Sequence, residues 1–154
     1  MTKLDLVKEF RRAFSLPISD VPCVPSAQQL ELQCHLIWSE AQEVSECESV
    51  TDILDVIVDL QYFILGLAAE SGITEEQISD WFQKVHAANM RKLWTTAQVV
   101  EKFGPIGAFN RNHLTDEGSW LIEASDHNQW VVRLNGKVQK PPGWQAAQLE
   151  GGAV

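Results

Sequence analysis

Residues 51–69 read TDILDVIVDLQYFILGLAA, from Thr51 to Ala69. The run is apolar nearly all round a helical wheel, as expected of a helix buried on most sides. It nevertheless holds three aspartates. Asp52, Asp55 and Asp59 fall at i, i+3 and i+7, which aligns them in one stripe about two turns long. Ionised carboxylates stacked in an apolar setting repel one another and cost several kcal/mol each to desolvate, unless cations join them.

The preceding segment, HLIWSEAQEVSECE, supplies a matching stripe: Glu40 and Glu43 at i, i+3, continued by Glu46. Taken alone, that row also fits a solvated helix face. Two antiparallel helices carrying these stripes face acid to acid, and carboxylate oxygens converging at one level suit a hard cation, Mg²⁺ or Mn²⁺. A dinuclear iron or manganese bundle needs Glu-x-x-His pairs. His35 and His86 do not stand three residues after a Glu. The all-oxygen set points instead to Mg²⁺-dependent phosphate chemistry.

Four helices can be placed around this pair by their start and stop signals. Thr2 with Asp5 opens the first, which Pro17 ends; Ser26 with Gln29 opens the second, which runs to about Cys47. Thr51 caps the third, stopped at Gly72; Thr74 with Gln77 opens the fourth, which ends near Leu93. Beyond Trp94, Gly, Pro and Asn become dense and the periodicity changes. Residues 120–124 and 129–134 are β-prone, and Asn135-Gly136 is a strong hairpin signal. The expectation is an all-α bundle of four to five helices with a small C-terminal β-hairpin appendage: a helical core over 1–94 and an extension over 95–154 with a partly flexible tail.

The chain has 154 residues, 45% of them apolar, enough for one globular core. Twelve Lys and Arg against twenty-one Asp and Glu give a net charge of −9, which repels nucleic acid and anionic lipid. No stretch reaches the roughly 18 apolar residues of a membrane span, and no apolar leader opens the chain, so a cytoplasmic protein is expected. Cys23, Cys34 and Cys47 lack ligand spacing and are expected as free thiols.

Five motifs in order now resemble a known family, the all-α nucleoside triphosphate pyrophosphatases of the MazG-like and phosphoribosyl-ATP pyrophosphohydrolase-like group. Residues 8–14, KEFRRAF, followed by a Pro-bearing loop, resemble the opening segment of its phage and bacterial branch. Residues 36–43, LIWSEAQE, resemble its E-x-x-E helix, and 55–66, DVIVDLQYFILG, its second acidic helix. Residues 85–93, VHAANMRKL, resemble its V-H-x-S-N-M-x-K-L signature, and 135–141, NGKVQKP, its closing G-K-V-x-K-P. The resemblance covers about 4–94 and 135–149. Ser39 stands where many members carry a further Glu, and Ala88 replaces the common Ser. Val56 takes the place of the acid in the usual E-x-x-D, so Asp55 must serve. Residues 95–134 have no counterpart.

The resemblance implies hydrolysis of a (d)NTP between the α and β phosphates, with Mg²⁺ (Mn²⁺ substituting) bridging the acidic protein and its anionic substrate. Glu40, Glu43, Asp55 and Asp59 are then both metal ligands and catalytic groups, with Asp52 and Glu46 as further candidates. Lys92, with Asn89 nearby, would grip the outer phosphates; a cation complementing the helix C-terminus is the other reading of Lys92. His86 fits a structural hydrogen-bonding role. Lys137 and Lys140 suit either closure over phosphates or protection of a sheet edge. Trp38, and Phe14 with the 17–25 loop, are candidate walls for the base. The phage-type branch acts on dGTP and GTP, which makes a purine the implied base. Phosphoribosyl-ATP hydrolysis is the alternative within the same chemistry, and a non-enzymatic acidic helical adaptor is the alternative of another class. The third helix is apolar on more sides than its neighbours can cover, and family members build sites across subunits, so a homotetramer, otherwise a homodimer, is expected.

Overall fold

A computed structural model describes residues 1–105 and 112–149. The architecture is helical with a β appendage: five α-helices, then an antiparallel sheet. The chain divides into two compact units, Met1–Asp80 and Trp81–Glu150.

The first unit holds α1 (Lys3–Ala13), α2 (Ala27–Glu43) with a short 3-10 turn Val44–Glu46, α3 (Val50–Glu70) and the start of α4 (Glu75–Met90). Reciprocal side-chain caps open these helices, Thr2 with Asp5 and Ser26 with Gln29 as expected from sequence, and Thr74 with Gln77 before α4. The cap of α3 is Ser49 paired with Asp52, not Thr51. The helix gains two more residues that way, and Asp52 stays in its first turn, where an acid favours the helix dipole. α1 ends at Ala13, four residues before Pro17, where Ser15 turns into the left-handed region at φ 53°.

At the far end of α3, Gly72 lies at φ 65°. Its N–H donates to Ala69 O at 3.4 Å and that of Ile73 donates to Ala68 O at 3.0 Å, the two bonds of a Schellman cap. A Cβ on Gly72 would also meet Val21 O at 2.1 Å, so both conformation and space require glycine there. The 17–25 loop completes the end, Ser19 N–H reaching Ala69 O and Cys23 N–H reaching Ser71 O, each at 3.0 Å.

The core of this unit is small. Leu4, Ala68 and Ala69 are buried, with Leu65 and Ile78 packed against them. Between α1 and α3 lies a buried polar pair: the Arg11 guanidinium binds the Glu70 carboxylate and donates through Nε to Pro17 O at 2.9 Å.

α3 is not buried on most sides within the single chain. α1 and α2 are the helices packed along it, and Leu54 remains 60% exposed, Val58 50% and Ile57 48%. The hydrophobicity that suggested a buried helix is instead a surface that one chain leaves open.

The second unit builds its own core. Trp94, Val99, Trp120, Ile122 and Val132 are buried together, with Phe103, Trp130 and Leu134 against them. Helix α5 (Thr96–Phe103) supplies Val99; four strands, β1 (Asn112–Thr115), β2 (Gly118–Ala124), β3 (Trp130–Leu134) and β4 (Lys137–Val138), form an antiparallel meander in sequence order. The expected hairpin at Asn135-Gly136 is its last turn, with φ 49° and 79° at the two residues. The appendage is larger than that hairpin: the β-prone runs 120–124 and 129–134 fall in β2 and β3, and α5 and β1, which no sequence signal above marked, add to them. Among the described residues no helix is long and apolar enough to cross a membrane, and the three cysteines are free.

Candidate active site

α2 and α3 are packed neighbours joined by a short link. Glu40 and Glu43 sit in the last turn of α2, and Asp55 and Asp59 in the first half of α3. A tight helical hairpin therefore brings the two acidic stripes to the same end of the pair. Glu40 registers this directly. Its carboxyl is held above the ordinary carboxylate range, first by partial desolvation, then by the charges of Glu43, Asp59 and Asp55.

Glu40 and Asp59 are half-buried, while Glu43 and Asp55 are exposed. The acids therefore lie at the margin of the helix pair and not inside an apolar run as expected, because α3 is itself open on that side. Val56, at the position the resemblance reserves for an acid, is buried. The next residue back, Asp55, is the one whose charge reaches Glu40. Among the described residues no Lys or Arg forms an ion pair with any of the four, and no three His, Cys, Asp or Glu side chains stand close enough to hold an ion as they are. Uncompensated carboxylates repel and spread; a hard divalent cation is the partner their all-oxygen chemistry suits.

Asp52 is spent on local structure. Its carboxylate accepts from Ser49 N–H at 2.7 Å and Glu48 N–H at 3.0 Å. Those bonds, that to Glu48 foremost, hold it below the usual carboxylate range. Glu46 is exposed in the 3-10 turn.

Trp38 presents a 64% exposed indole two residues before Glu40. Phe14, also exposed, stacks on Phe10 at 4.4 Å between ring centroids. Phe10 in turn meets Tyr62 edge-on at 5.5 Å, and Tyr62 follows Asp59 by three residues on α3. Tyr62 was not singled out from sequence, where it reads as one more apolar position of the helix.

Asn89, Lys92 and Lys137 belong to the second unit. Asn89 and His86 are exposed on α4, and Lys92 is half-buried just past its end. Lys137 is exposed at the start of β4, opposite Leu134. Among the described residues it shares no ring or ion-pair contact with Lys92. Lys140 does share one: both ammonium groups lie over the ring of Trp144. Trp144 escaped sequence reasoning because its partner on α4 is 56 residues away.

A model of the phosphoribosyl-ATP pyrophosphohydrolase family matches residues 7–89. That stretch contains all four acids, Trp38 and Asn89, and stops before Lys92. No curated protein matches the chain.

Proposed function

From the premise that the chain belongs to the phosphoribosyl-ATP pyrophosphohydrolase family, hydrolases of phosphoanhydride bonds, we propose that it cleaves a nucleoside triphosphate between the α and β phosphates, releasing the monophosphate and pyrophosphate. One observation carries the reading. Within the family-matched region, Glu40 lies in the combined field of Glu43, Asp59 and Asp55. Family membership sets aside the adaptor reading of the acidic face.

In this reading Glu40, Glu43, Asp55 and Asp59 hold Mg²⁺, with Mn²⁺ able to substitute. A metal held there would polarise phosphoryl oxygens and offset the charge of the substrate. One of these carboxylates orients the attacking water and takes its proton as the water oxygen bonds to phosphorus. The bridging P–O bond breaks and pyrophosphate departs. Asn89 and Lys92 contact the outer phosphates, with Lys137 a further candidate; Trp38 offers a flat apolar surface to the base. A purine nucleotide, dGTP or GTP, is the proposed substrate. Phosphoribosyl-ATP is the second reading, favoured by the description of the matching family, and it keeps the same bond.

Metal binding is open to a direct test. Chelator-treated protein should gain stability on adding Mg²⁺, by about 2.7 kcal/mol at a concentration a hundred times Kd, read as a rise in Tm. Asp59→Asn should abolish the rise. An unchanged Tm in the parent protein contradicts the metal site.

The open face of α3, with Ile53, Leu54, Ile57 and Val58 each 48% exposed or more, supports self-association into a homotetramer, otherwise a homodimer. Light scattering at micromolar concentration should give a multiple of the 17.3 kDa chain mass. A monomer under those conditions contradicts this assignment. Ile57→Glu should shift the assembly toward monomer.

A further inference from the structure

Residues 95–134, which have no counterpart in the family resemblance, anchor the segment that leaves α4. Asn89 stands inside that helix, whereas Lys92 lies two residues beyond its last residue, Met90, where the helical ladder no longer fixes the chain. Every backbone N–H from Arg91 to Thr95 is nevertheless paired. Arg91 donates to Ala87 O at 3.3 Å, Lys92 to Asn89 O at 3.0 Å, Leu93 to Met90 O at 3.2 Å and Trp94 to Trp130 O at 2.8 Å. Thr95 donates to Gln98 Oε1 at 2.9 Å, within the cap of α5. The chain thus passes from α4 into α5 with its amides held throughout, and a segment so held has little backbone entropy left to lose when a ligand binds.

Trp94 ties this segment down. Trp130 N–H returns a bond to Trp94 O at 2.8 Å, so residue 94 pairs with β3 in the manner of an antiparallel strand. Trp130 pairs with Ala124 of β2 on its other side, which places Trp94 on the edge of β3 that also carries β4. The Trp94 indole is buried in one cluster with Val99, Trp120, Ile122 and Val132, and its Nε1–H donates to Gln139 O at 3.1 Å. Gln139 N–H donates to Val132 O at 2.8 Å. The Trp130 indole closes the arrangement by donating to Thr96 Oγ1 at 3.1 Å. Apart from the Gln139 carbonyl, everything that grips Trp94 here belongs to residues 95–134.

We propose that the segment 95–134 serves to position Lys92, with Trp94 as the positioning residue. Anchored two residues further on, the Lys92 backbone presents its ammonium group from a fixed point; released, it would fray as helix ends do, and a misplacement of about 1 Å can cost on the order of a hundredfold in rate. The proposal rests on the function above in giving Lys92 its contact with the outer phosphates. What it adds is a task for the inserted segment.

A double-mutant cycle tests it, with pyrophosphate release from dGTP and Mg²⁺ as the readout in the full chain. Trp94→Leu should lower kcat/KM about tenfold, and Trp94→Phe far less, because a phenyl ring still fills the core. In a Lys92→Gln background the same Trp94→Leu change should cost less than about twofold more, since the group it positions is gone. Ile122→Ala removes volume from the same core without touching the bridge; it should lose stability in urea and keep kcat/KM. Amide exchange at Lys92 and Leu93 should be faster in Trp94→Leu than in Ile122→Ala. Should Trp94→Leu fail to fold, Thr96→Val carries the cycle. It changes an exposed residue, deletes only the acceptor of the Trp130 indole, and should lower kcat/KM about twofold with Lys92 present and not without it. Equal losses with and without Lys92, or a matching loss in Ile122→Ala, overturn the proposal, because Trp94 is then structural alone. A parent protein that hydrolyses no nucleotide removes the function and this role together, whereas additive losses in an active protein remove the role alone.

Discussion

Arg11→Met should destabilise the protein by about 3–5 kcal/mol, the range found when one partner of a buried ion pair is removed. Arg11 is 6% exposed and Glu70 7%. The guanidinium binds the Glu70 carboxylate and also ties the α1–α2 loop through Pro17 O. Among the described residues, the second carboxylate oxygen of Glu70 is buried with no hydrogen-bond partner, as is the Gln33 amide oxygen. Without Arg11, Glu70 is an uncompensated charge in the interior. Gly66 belongs to the same arrangement: a Cβ there would come within 3.1 Å of the Arg11 guanidinium. Adding Glu70→Leu to Arg11→Met should recover much of the loss, because an apolar pair of similar volume has no charge to desolvate. Urea unfolding of the two variants measures both effects. A loss below about 1 kcal/mol in Arg11→Met would show that the pair is solvated, since exposed pairs contribute no more than that.

Asp59→Asn should lower pyrophosphate release by about a hundredfold to a thousandfold, because several kcal/mol of metal-derived stabilisation of the transition state depend on the ligand set. The substitution keeps the shape of the side chain and removes its charge. Asp59 is half-buried on a helix whose cap, Ser49 with Asp52, lies turns away, so the fold should survive. Relief of one repulsive charge beside Glu40 should leave the metal-free variant no less stable than its parent. Loss of activity together with retained stability separates a chemical role from a structural one. A variant that keeps full turnover would remove Asp59 from the site.

Local start signals marked the helices well, and one omission is instructive. Thr2-x-x-Asp5, Ser26-x-x-Gln29 and Thr74-x-x-Gln77 each mark a real helix start. Thr95-x-x-Gln98 has the same form and opens α5, yet it sits where Gly, Pro and Asn become dense and composition suggests only turns and strands. In α3 the pattern Ser49-x-x-Asp52 competes with Thr51, two residues on, and propensity does not choose between them; the reciprocal bonds of the folded chain do. The acidic stripes were legible because helical spacing alone aligns them. Their degree of burial was not, since an apolar α3 reads the same whether its own chain or a second copy covers it. The pairings that join distant segments were likewise hidden: Arg11 with Glu70, and Trp144 with Ala88, depend on which elements pack together and leave no periodic trace.

The central claim is that this acidic helix pair hydrolyses a nucleotide at the bond that releases pyrophosphate. It is tested most directly by incubating the protein with Mg²⁺ and a panel of dNTPs, NTPs and phosphoribosyl-ATP, quantifying inorganic pyrophosphate, orthophosphate and nucleoside monophosphate, beside Asp59→Asn. Pyrophosphate and monophosphate in equal amounts, with a purine triphosphate ranked first and the signal lost in the variant, is the expected result. Orthophosphate in place of pyrophosphate, or no product from any nucleotide, would contradict it.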